Sequence, residues 1–146
     1  QQMLEIIDGI RLAVNLNWKK YYQNRTMHPL SEAENVLVEN GRILQIRKNI
    51  SKSLGNQQIG EFLGIMTLSS EHVKILLERY SYLKKNHMGA FHNSSSLSNA
   101  YITDMLQEII NCGINVNPVF TEGKWCEIDT PEDLRNAEKS INKFQS

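Results

Sequence analysis

Near the C-terminus Trp125, Glu127 and Asp129 alternate with Cys126 and Ile128, so on a strand the two carboxylates share one face. Asp129 then stands where that strand ends and a helix begins, the end of an open α/β sheet at which ligands gather. Paired carboxylates there suit a hard cation such as Mg2+, which takes one or two protein oxygens and completes its octahedron with water and substrate phosphates. The plainer reading has Asp129 help Thr130 cap the helix and leaves Glu127 in solvent, because acids are common in a helix's first turn.

A second group is basic. Arg47, Lys48 and Asn49 adjoin the turn-rich stretch 51–58, and Lys48 is placed to neutralise a phosphate, unless it is simply the solvated end of a strand. Glu32 and Glu34 precede the first strand of the hairpin that leads to this region. Trp18, Tyr21, Tyr22 and Trp125 supply aromatic faces of the kind that hold an ammonium group, and serve equally as core or rim residues. His28, His72, His87 and His92 show no metal-ligand spacing and no Ser or Cys partner, so all four are taken as structural or exposed.

The elements that must position these residues alternate in type. Ile10 to Val14 reads as a buried strand ending in a polar turn, and Trp18 to Asn24 as a short helix. Ala33–Val38 and Arg42–Ile46 flank Glu39-Asn40-Gly41, a hairpin turn, and Gly60–Leu68 is apolar enough for a central strand. Its two glycines weaken that strand unless something approaches closely. A helix capped by Ser69 or Ser70 carries Val73, Leu76, Leu77, Tyr80 and Leu83 on one face, with Lys84 and Lys85 in its last turn. Residues 89–98 read as a mobile loop. A second amphipathic helix follows with Ile102, Met105, Leu106, Ile109 and Ile110 on a stripe and Gly113 as its left-handed stop. Val116–Phe120 and Trp125–Ile128 read as a hairpin around 121–124, and Thr130-Pro131-Glu132-Asp133 opens the last helix. This pattern predicts an α/β domain with a mixed sheet and flanking helices.

Composition narrows the function. The 146 residues, 40% hydrophobic and 22% charged, suit one domain around one core. Sixteen basic and sixteen acidic side chains cancel, which leaves no basic field for a nucleic-acid backbone. Cys112 and Cys126 are too few for a disulfide framework, and there is neither a signal-peptide layout nor an apolar run of roughly 20 residues to span a bilayer. The expectation is a cytoplasmic chain without a membrane or nucleic-acid partner.

Several segments then agree in order with one family along nearly the whole chain: Ile10–Trp18, Arg25, Ala33-Glu34, Ile46 with Lys48, Gly60–Met66, Thr103-Asp104 and Trp125–Leu134. The chain resembles the C-terminal half of nucleotidyltransferases of the phosphocholine and 2-aminoethylphosphonate cytidylyltransferase type, also found fused to phosphoenolpyruvate mutase-like domains. The resemblance implies the C-terminal part of a nucleotide-diphospho-sugar transferase-like fold. It also implies joining of CTP to a small phosphorylated or phosphonylated amine with Mg2+ and release of pyrophosphate. On that resemblance Asp129 is a metal-binding carboxylate with Glu127 beside it, Lys48 faces phosphates, and Glu34, Glu61, Asp104 and Trp125 lie around the substrate. The family's glycine-rich loop, nearby lysine and first metal-binding aspartate have no counterpart here, and Asn15 and Arg47 stand where relatives often carry Asp and Gly. Residues 1–146 are therefore expected to be a single domain lacking the nucleotide-binding half. A domain cut in this way leaves a sheet edge open, which points to a homodimer. The alternative is a non-catalytic remnant acting as a ligand-binding or protein-interaction module.

Overall fold

The computed structural model describes residues 8–23, 25–121 and 127–142. Its regular elements are β1 (Ile10–Asn15), β2 (Glu34–Glu39), β3 (Arg42–Lys48), β4 (Gln58–Leu68), α1 (Ser70–Asn86), α2 (Ile102–Asn111), β5 (Val116–Phe120) and α3 (Pro131–Asn142), with short 3-10 turns at Trp18–Lys20, Leu30–Glu32 and Leu97–Asn99. The strands form one mixed sheet in the order β3-β2-β4-β1-β5. β1 and β5 run parallel and the other neighbours antiparallel. The outer strands β3 and β5 approach each other, so the sheet curls over the apolar stripe of α2.

Local chemistry explains most of these elements. Asn40 and Gly41 both take positive φ, at 50° and 73°, the paired left-handed conformation of a tight hairpin whose twist matches its strands. Ser69 caps α1 by accepting from the His72 amide, and Gly113, at φ 83°, ends α2 as its left-handed stop. Leu106 and Ile109 on α2 are fully buried against Ile10, Leu12, Val14, Val36 and Ile46. Each contributes about 2 kcal/mol of apolar burial.

The two glycines of β4 have separate reasons. A Cβ on Gly60 would stand 2.5 Å from Val14 Cγ1 and 3.2 Å from the Asn15 carbonyl, so β1 comes too close for any side chain. Gly64 has open space around it but a φ of 72°. It sits in a bulge, because Leu12 and Val14 pair with Met66 and Phe62 and leave two extra residues on β4.

Four sequence expectations are corrected. The expected helix at 18–24 is a single 3-10 turn at Trp18–Lys20, because Trp18 and Tyr22 are drawn into a small core with Ala33. On α1 only Leu83 is buried, while Val73, Leu77 and Tyr80 are exposed among the described residues. Residues 89–98 are a built segment, with Phe91 buried and paired to Ser94 in both directions. β5 pairs with β1, and no hairpin strand follows it among the described residues. Glu127 and Ile128 are irregular backbone, and 122–126, including Trp125 and Cys126, lie outside the described residues.

β4 changes partners along its length, with residues 58–61 bonded to β2 and residues 61–68 to β1. From Phe62 to Leu68 its other edge therefore has no strand neighbour among the described residues. Ser69 N–H bonds the Gly9 carbonyl. By alternation, Met66 and Leu68 turn their backbone groups to the open side. This edge carries no charge and no proline, the usual protections against a further strand. No helix among the described residues is long and apolar enough to cross a membrane.

Candidate functional site

Where β1, β4, β2 and β3 lie abreast, Asn15, Glu61, Asn35 and Arg47 are register partners and project from one face. The other face carries the main core, and this one is covered by Trp18, Tyr22 and Ala33. Asn15, Glu61 and Asn35 are consequently buried polar groups. Asn15 Oδ1 accepts from the Asn17 amide at 2.8 Å, and Asn35 Oδ1 from the Ile50 amide at 3.2 Å. The Tyr22 hydroxyl donates a short bond to Glu61.

Burial pushes the Glu61 carboxyl up to about 7; the Tyr22 bond and the Arg25 charge oppose the rise and the Glu127 charge adds to it. The folded state therefore favours the protonated acid. That stabilisation is complete below the ordinary value of 4.5 and is lost as pH rises through about 7. Glu61→Gln keeps the acceptor and cannot ionise. Urea denaturation at about pH 5 and about pH 8 is expected to show near-equal stability at the lower value, with the variant ahead by up to about 3 kcal/mol at the higher. Parallel pH profiles for the two proteins would contradict this.

Arg25 organises the next layer. Its side chain is 6% exposed, with Nε 2.7 Å from Asp133 Oδ1 and Nη2 3.9 Å from Asp129 Oδ2, and its guanidinium lies over the Tyr22 ring at 4.8 Å. Asp133 accepts from the Thr130 amide and hydroxyl, while its own amide donates to Thr130 Oγ1. That reciprocal pair caps α3. Burial raises the Asp133 carboxyl, but the bonds from Arg25 and Thr130 outweigh it and hold the group below its usual value. The capping role considered for Asp129 thus belongs to Asp133. Glu132 accepts from the Thr26 and Met27 amides at 2.8 and 3.0 Å and from the Thr26 hydroxyl at 3.1 Å. The first turn of α3 grips the loop 25–28 through both acids.

Released from capping, Asp129 turns Oδ2 to within 3.2 Å of His28 Nδ1. One donor atom each from His28, Glu127 and Asp129 lie within 4.8 Å of one another, and no other group of three such donors occurs among the described residues. Glu127 and Asp129 are brought together by the loop entering α3, not by strand alternation. Partial desolvation raises the Glu127 carboxyl, the adjacent Asp129 charge adds to the rise, and His28 and Arg25 oppose it. The donor chemistry, two hard oxygens and an imidazole, fits a divalent cation. Sequence reasoning missed His28. The one local signal was His28-Pro29, since a residue before proline is held extended.

Lys48 and Glu34 form a neighbouring group as register partners on β3 and β2. Lys48 Nζ lies 2.7 Å from Glu32 Oε2, which raises the lysine's pKa and lowers that of the acid. Burial raises Glu34, against Lys48 and a bond from Thr103. Glu32 lies in the short 3-10 turn Leu30–Glu32 that directly follows His28-Pro29, so the two groups are close along the chain. Asp104 is buried, and its oxygens accept from the Asn93 amide at 3.2 Å, the Ser94 hydroxyl at 2.8 Å and the Tyr101 amide at 3.0 Å. It ties the 93–101 segment to α2, beside Glu34. Of the residues singled out from sequence, Glu61, Glu127 and Asp129 thus share one site. Lys48 and Glu34 stand next to it, Asp104 is engaged in the scaffold, and Trp125 lies outside the described residues.

No protein-family model matches the chain. It is similar to the CTP:phosphoglutamine cytidylyltransferase of Campylobacter jejuni, with 26% identity over 135 residues. That match takes in 92% of this chain and 51% of the relative, so the chain spans about half the length of the curated relative it matches. Among solved structures it shares its fold with the inositol-1-phosphate CTP transferase from T. maritima. That alignment has a TM-score of 0.55 and 22% identity, over 92% of this chain and 45% of the other.

Proposed function

We propose that these residues form the substrate- and metal-binding half of a cytidylyltransferase that couples CTP to a small phosphorylated or phosphonylated amine, phosphocholine or 2-aminoethylphosphonate, with release of pyrophosphate. The observation that carries the reading is the convergence of Glu127, Asp129 and His28, with Asp129 freed because Asp133 caps α3. The similarity to a CTP-using relative supports the reaction class.

Glu127 and Asp129 are the residues that would hold Mg2+, which when bound neutralises triphosphate charge and aligns the displacement. Lys48, now paired with Glu32, would exchange that carboxylate for a phosphate or phosphonate oxygen. Glu34 supplies the acidic surroundings that an amine requires, and Glu61, held by the Tyr22 hydroxyl, would ionise as an ammonium group approached. Asp104 shapes this end through the segment it holds, and Trp125 is placed at the substrate by the sequence resemblance alone. No protein nucleophile is needed, since phosphoryl-type transfer depends mainly on positioning and charge neutralisation. The cytoplasm, where CTP is available, is the compartment that fits.

The β4 edge that has no strand neighbour among the described residues favours a second chain as partner, and we place a homodimer there; a monomer by sizing at high concentration would refute it. The same edge is the observation that favours an interaction module as the alternative function. The deciding experiment is pyrophosphate release with CTP and Mg2+, offering phosphocholine and 2-aminoethylphosphonate in turn, for this chain and for the polypeptide joined to its other half. Release by the complete protein with one acceptor is the expected result. Absence of release with both, from a folded complete protein, refutes the reading.

A further inference from the structure

We propose that His28 is a third protein donor to the cation held by Glu127 and Asp129, and that this imidazole makes the site prefer Mn2+ to Mg2+. The inference rests on the reading of those two carboxylates as a cation site and adds the ion's class to it.

Geometry carries the argument. In an octahedral complex with bonds of roughly 2.1 Å, neighbouring donor atoms stand about 3 Å apart and opposite ones about 4 Å. His28 Nδ1 and Asp129 Oδ2 are 3.2 Å apart, and the Glu127 oxygen completes a set within 4.8 Å. The three atoms therefore need only small movements to accept one ion. The histidine is also fixed in advance. Its ring stands edge-on to Tyr22 at 6.0 Å, and the two residues before it are gripped by Glu132 of the helix whose N-terminal side presents Asp129.

Charge agrees with geometry. Arg25, the nearby permanent cation, makes its close contact to Asp133 at 2.7 Å and stands 3.9 Å from Asp129. The carboxylate that Arg25 holds closely is thus Asp133, outside the donor set. The other histidines lack such a setting: His72 bonds its own cap residue, Ser69, and His92 bonds Glu108, which is already paired to Arg79. Ligand chemistry then sets the preference. Mg2+ demands oxygen donors and dehydrates reluctantly, whereas Mn2+ stands above it in affinity for nitrogen ligands.

The test titrates the purified chain with Mn2+ and with Mg2+, each alone, by calorimetry, and records pulsed electron paramagnetic resonance of the Mn2+-loaded chain. Tighter binding of Mn2+ is expected, with nitrogen modulation from a bound imidazole. His28→Gln should lower Mn2+ affinity by about tenfold or more, leave Mg2+ affinity unchanged and erase the modulation. His28→Asn keeps a hydrogen-bond donor near Asp129; if it restores wild-type Mn2+ affinity, His28 merely orients the carboxylate and the proposal fails. Absence of nitrogen modulation in wild type, or equal affinity for the two ions, also overturns it. Binding of neither ion overturns this inference together with the cation reading, whereas Mn2+ bound through His28 in a complete protein that releases no pyrophosphate sinks only the transferase reading. Circular dichroism of each variant establishes that it is folded.

Discussion

Asp129→Asn is expected to reduce pyrophosphate release by the complete enzyme about a hundredfold or more, while the unfolding free energy changes by about 1 kcal/mol or less. Asparagine preserves the shape of the side chain and removes the charge, so the substitution separates cation binding from packing. The structure sharpens the expectation. Asp129 is 44% exposed at its side chain, and the bonds that start α3 run between Asp133 and Thr130. Removing the Asp129 charge therefore strips no cap, and the Arg25 guanidinium keeps its close contact to Asp133. Kinetics with urea denaturation on the same preparation decide the matter. Unchanged turnover would assign Asp129 to the surface and favour the interaction-module reading.

Arg25→Met is expected to destabilise the fold by about 3 kcal/mol or more, the cost of leaving one partner of a buried ion pair uncompensated. Arg25 and Asp133 are 6% and 3% exposed at their side chains, so water cannot replace the lost partner. Asp133→Asn should cost a similar amount, because it strands the guanidinium and weakens the cap. In the double variant the two losses should sum to clearly more than the measured total, since each single change already breaks the pair. Additive losses would show that Arg25 stabilises through its contact with Tyr22 and not through Asp133. Loss of helical signal should accompany either variant, because α3 is fastened to the body of the protein at this point.

Much of the fold was legible because its signals are local. Asn40-Gly41 requires left-handed backbone, Thr130-Pro131 with Asp133 spells a helix start, and Gly60–Leu68 is too apolar for an outer strand. The site was legible only in part. Glu127 and Asp129 stand out in the sequence as a pair, but they meet in the loop entering α3 and not by alternation on a strand. His28 and Arg25 carried no spacing signal, because their partners are about a hundred residues away and only the folded chain brings them together. The exposed face of α1 was illegible for the same reason. Periodicity shows that Val73, Leu77 and Tyr80 share a helix face but not whether anything lies against it, and here they remain exposed. Residues 89–98 look loose by composition, yet one aromatic side chain, Phe91, and one carboxylate, Asp104, suffice to organise them.

The grip of Glu132 on Thr26 and Met27 spans 106 and 105 positions of sequence, and that separation bears on the order of folding. Contacts between neighbours form early, whereas closing so long a loop is entropically expensive and becomes favourable only after intervening strands have shortened the effective path. β1 and β5 are as far apart in sequence as Thr26 and Glu132, so once they pair the loop left to close is short, and the helix carrying Asp133 is expected to dock after them. A cation bridging Glu127, Asp129 and His28 would act on this last step: by mass action it would stabilise the closed ring of contacts without hastening the sheet's formation.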